Sequence, residues 1–178
     1  MMPPTDRLKL AEKWLKEIGN EVSPAEATNQ QGETLPALQV KHGAVSVLVI
    51  DRNGVMTVLS VLQIPSELRL ATQKLSNETQ EQMLGVLRAA LMDNPRTGWT
   101  LFPPTVTRVG DLQGIQMNQL FKIDGDQSAA FNRLADAMQE VVTMTVKVGS
   151  IFGGALRPGA TLSMAKPSSD HGHDRIYG

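Results

Sequence analysis

Apolar residues return at two different spacings along this chain, and the spacings predict where helices and strands lie. Leu8, Ala11, Leu15 and Ile18 recur every three or four residues, and Trp14 widens the stripe. This predicts a first helix, capped by Thr5 or Asp6 and stopped by Gly19-Asn20. The polar stretch 21–34, with Pro24 and Gly32, predicts a loop. The period then shortens to two. Leu38 and Val40 alternate with Gln39 and Lys41, His42-Gly43 turns the chain, and Val45 to Ile50 is almost continuously apolar. Asn53-Gly54 supplies the two positive-φ residues of a type I′ turn, so the next apolar run, Val55 to Ile64, returns as a hairpin partner before Pro65 ends it. Short connections make this three-stranded meander antiparallel.

Residues 66–75 follow neither period and predict an irregular approach to the second helix. That helix starts at Ser76 to Gln80, with Asn77 as cap and Gln80 reaching back. Met83, Leu84, Leu87, Ala90 and Leu91 form its stripe, and Asp93-Asn94-Pro95 ends it. Trp99 to Phe102 predicts a short strand and Ile115 to Ile123 a longer one. On the longer strand Ile115, Met117, Phe121 and Ile123 share a face, opposite Gln116, Asn118 and Lys122. Asp124-Gly125-Asp126 turns into a third helix, capped by Asp126 or Ser128. Its buried stripe is Phe131, Leu134, Ala135, Met138, Val141 and Val142, continuing to about Val148. The expected organisation is one α+β domain over residues 1–148, an antiparallel sheet packed by helices, followed by a Gly/Pro-rich extension over 149–178. Residues 168–178 are polar and expected to be disordered.

The order helix, three strands, helix, two strands, helix resembles the type III secretion chaperone-like fold. Within that fold the pattern is similar to a small, mostly archaeal family of unknown function. The stretches that carry the resemblance are Ala37-Leu38-Gln39-Val40 through Val45, Leu48 and Ile50, then Asn53-Gly54 and the strand to Ile64-Pro65. They continue with Met83-Leu84-Leu87-Leu91, Leu101-Phe102-Pro103, and Ile115 to Ile123 running into Phe131, Leu134 and Met138. The glycine-rich extension departs from a minimal member of the fold. The resemblance implies protein binding, because members of the wider fold commonly form dimers and hold partner segments against their sheet.

Composition removes much chemistry. The 178 residues contain no cysteine, so disulfides, thiolate nucleophiles and cysteine-based metal sites are excluded. Aromatic residues make up 4%, so aliphatic side chains and nine methionines fill the core. Seventeen basic and eighteen acidic residues leave a formal net charge of −1 with no basic stripe, so nucleic acid is not an expected partner. The N-terminal residues do not resemble a signal peptide and the longest apolar run is too short to span a bilayer, which predicts a cytoplasmic protein with no membrane partner.

The remaining motifs have plain readings. His42 lacks the nucleophile and orienting acid of a catalytic base and reads as a turn residue. His171 and His173 could share a metal ion, yet sit in the polar tail, and no cofactor or metal is expected. Gly149-Ser150-Ile151-Phe152-Gly153-Gly154 lacks the lysine of a phosphate loop and follows a helix instead of a strand. Asp51, Asp111, Asp124 and Asp126 lie beside glycines as turn residues, and Asp124-Gly125-Asp126 lacks the other ligands of a calcium loop. Two functions stay open: a non-catalytic protein-binding or chaperone-like module, or a small hydrolase or ligand-binding enzyme using Asp, Glu or Ser residues that the sequence does not single out. The first is the stronger expectation. The long strands are apolar on both sides, with Val45, Val47 and Val49 opposing Leu48 and Ile50, and Val58 opposing Leu59. A partner protein, above all a second copy forming a homodimer, is expected to cover one face. The candidate partner-binding residues are Val58, Leu59, Ile151, Phe152 and Leu156, the last three being large apolar groups in a glycine-rich segment.

Overall fold

The structure, a computed structural model, describes residues 4–28, 32–123 and 126–152. Helix α1 (Pro4–Glu17) leads into four strands, β1 (Glu21–Thr28), β2 (Thr34–His42), β3 (Val45–Arg52) and β4 (Val55–Gln63). Helices α2 (Ser66–Gln73) and α3 (Asn77–Met92) follow, then β5 (Gly98–Phe102), a 3-10 turn at Val109–Asp111, β6 (Gly114–Lys122) and the long α4 (Gln127–Ile151). All six strands join one antiparallel sheet in the order β1-β2-β3-β4-β6-β5. The expected α+β class holds, with a larger sheet and one more helix than the periodicity predicts.

The helices lie on one face of the sheet. Leu8, Ala11, Trp14 and Leu15 of α1 and Leu134, Met138 and Val141 of α4 bury Val40, Val47, Val49, Met56 and Val58. Further along, Leu84, Leu87 and Leu91 of α3 and Met144 and Val148 of α4 pack on Leu62, Leu101, Ile115 and Met117. Every one of these strand residues points to the same side, because alternation and register align them.

Several local expectations are corrected. Residues 21–28 are a strand, not a loop: β1 pairs with β2 from Glu21↔Lys41 to Thr28↔Thr34. Pro24 does not prevent this, because an edge strand pairs on one side only. Residues 66–73 form α2, whose Thr72 is buried and whose Leu68 packs on the α3 cluster, so tertiary packing organises a short, weakly patterned segment. Ser76, not Asn77, caps α3, accepting from the Thr79 N–H at 3.2 Å. Gln80 is buried and ties α3 to the 3-10 turn: its Nε2 donates to the Leu75 carbonyl at 3.0 Å, and the Gly110 N–H donates to its Oε1 at 3.3 Å. Helix α4, capped by Asp126, runs past Gly149 to Ile151 because Val148, Ile151 and Phe152 remain anchored in the core. At the other end Ile18 is exposed, since α1 stops at Glu17 and Gly19, at φ +87°, turns the chain away. Leu156, His171 and His173 lie outside the described residues.

Candidate functional site

The face of the sheet turned away from the helices carries its own apolar cluster. Ala27, Ala37 and Ile50 are buried there, with Ala25, Leu35, Leu48 and Leu59 partly buried around them, and every member belongs to β1, β2, β3 or β4. Among the described residues no helix contributes to it.

Register arranges this face in rows across the strands. One row runs Ala25, Ala37, Ile50, Thr57, Leu120. Ala37 and Ile50 in it are 3% and 5% exposed, whereas Leu120 is 64% exposed. The neighbouring row holds Gln39, Leu48, Leu59, Asn118 and Gly98. Leu48 and Leu59 stand directly opposite each other in it and are both only half-buried. At one end of the face Arg52, Val55 and Lys122 form a third row, both cations exposed. At the other end Lys41 pairs with Glu21 across β1–β2 at 3.9 Å.

The sequence-predicted residues fall on different surfaces. Leu59 is on the open face. Val58 faces the helices and is fully buried. Ile151 and Phe152 pack into the helix-side core beside α3, with Phe152 8% exposed, so neither reaches the open face. Sequence reasoning missed Leu35, Leu120 and the β1 alanines. Leu120 gave a signal: it is the one large apolar residue at the polar register of its strand, between Asn118 and Lys122.

Polar side chains elsewhere are engaged in holding the fold. Asp51 receives the Arg7 guanidinium through Nε at 2.6 Å and Nη2 at 3.3 Å, with both side chains almost wholly buried. His42 Nδ1 lies 2.7 Å from Asn20 Oδ1, and Asn20 in turn donates to the Leu15 carbonyl at 3.1 Å, tying the β2 end to the end of α1. Glu140 on α4 accepts from Gln119 Nε2, from Asn94 Nδ2 at 3.4 Å and from Arg96 Nη1 at 3.5 Å. Asp111 pairs with Arg108 at 3.1 Å. Among the described residues no three His, Asp or Glu side chains converge to hold a metal ion. No described helix is long and apolar enough to cross a membrane. A hollow of about 240 Å³ beside Trp14 and Phe131 is open to solvent, and its only acidic group is Glu17.

No protein-family model matches the chain, and no curated protein is significantly similar to it in sequence. The fold does match a crystal structure of an uncharacterised protein from Methanothermobacter thermautotrophicus, with a TM-score of 0.63 and 15% identity over 82% of this chain and 96% of that one. At that identity the likeness is one of fold: a helix-backed antiparallel sheet of this kind exists in an archaeal protein that has no assigned function.

Proposed function

We propose that the protein is a non-catalytic protein-binding module that works through the open face of its sheet, and that a second copy of the chain is its partner. The observation that carries this reading is the apolar cluster of Ala37, Leu48, Ile50 and Leu59 on the face opposite the helices. An antiparallel sheet with one solvated face normally alternates apolar and polar side chains, and here the second side is apolar across four adjacent strands. Its accessible part is the half-buried Leu48 and Leu59 with the exposed Leu120, and apolar surface open to solvent marks interaction sites.

Two features favour another sheet face over an added strand. Pairing at the sheet edges is discouraged, since β1 holds Pro24, which has no N–H to donate, and β5 is only five residues long. The open face also carries Leu48 and Leu59 directly opposite each other and half-buried, apolar surface that another sheet face would cover. Sheets packed face to face sit roughly 10 Å apart with interdigitating side chains. The implied chaperone-like role would use this same surface for a foreign segment.

Sedimentation equilibrium across a wide concentration range tests the reading. The wild-type chain is expected to dimerise, and Leu59→Asp to remain monomeric with an unchanged far-ultraviolet circular dichroism spectrum. A wild-type chain that stays monomeric at every concentration overturns self-association. A monomer that instead captures an apolar peptide through Leu59 would point to the chaperone-like use.

A further inference from the structure

We draw no further inference here: the strongest candidate, the open hollow between Trp14 of α1 and Phe131 of α4, carries nothing, because its one acidic group, Glu17, already pairs with Lys13 at 3.8 Å, Trp14 is only 8% exposed, and nothing in the structure shows what would occupy it.

Discussion

Asp51 shows how one residue serves two purposes that the sequence separates poorly. Next to Asn53-Gly54 it reads as a turn residue, and it does accept the Gly54 N–H through Oδ1 at 2.9 Å. Its position in β3 also points it toward the helices, where Arg7 of α1 meets it in a buried ion pair. Arg7 is only 3% exposed, on the helix face that buries Leu8, Ala11 and Leu15, so the pair is sealed beneath α1. A buried pair of this kind adds little net stability over apolar residues of similar size, but removing one partner takes the compensating charge from the other. Asp51→Ala is therefore expected to lower the unfolding free energy by about 3–5 kcal/mol. The double variant Arg7→Met/Asp51→Leu should lose clearly less than the two single variants summed. Urea unfolding of the wild type, Arg7→Met, Asp51→Leu and the double variant checks this, and strict additivity would mean that the pair carries no coupling.

At the scale of elements, the sequence was legible wherever apolar periodicity was strong. The cores of α1, α3 and α4, the β2–β3–β4 meander and the tight Asn53-Gly54 turn all follow from spacing alone, and Asn53 and Gly54 do adopt φ +52° and +90°. Legibility failed where tertiary contacts decide. Strand β1 has small residues in place of a bold alternation, and it exists because β2 offers it a register. Helix α2 was unreadable because its main contacts are with the 3-10 turn, 37 residues away from Gln73 at Gly110. Gln73 donates to the Gly110 carbonyl at 3.0 Å, and Gln80 accepts the Gly110 N–H. A Cβ on Gly110 would stand 2.6 Å from Gln80 Oε1 and 3.2 Å from the Gln73 backbone, so α2 and the turn meet at van der Waals limits. Gly110→Ala must push them apart and is expected to cost about 1–3 kcal/mol, as overpacking usually does. The open face was half legible: Leu48, Ile50 and Leu59 could be placed on it by alternation, but nothing in the pattern said that all the helices would choose the other side. A thermal melt of Gly110→Ala that matches wild type would show that the α2 junction yields freely.

For the whole molecule, the decisive asymmetry is that two adjacent residues of one strand meet different surroundings. Val58 is sealed under α1 and α4, while Leu59 lies in a cluster that no described helix joins. A charge at Val58 has to be buried without a partner, which costs several kcal/mol however many copies are present. A charge at Leu59 stays at the surface of a single chain and becomes costly only when another surface closes over it. The two positions therefore make different predictions for how stability depends on concentration. If two copies close over the open face, association stabilises the native state by mass action, and the wild-type melting temperature rises with protein concentration. Leu59→Asp is expected to melt near the dilute wild-type value and to lose that dependence. Val58→Asp is expected to melt far lower, or to fail to fold, at every concentration. Scanning calorimetry over a hundredfold concentration range reads both. A wild-type melting temperature independent of concentration, with Leu59→Asp indistinguishable from it, would mean that the open face remains uncovered by a second copy and that its apolar surface serves some other partner.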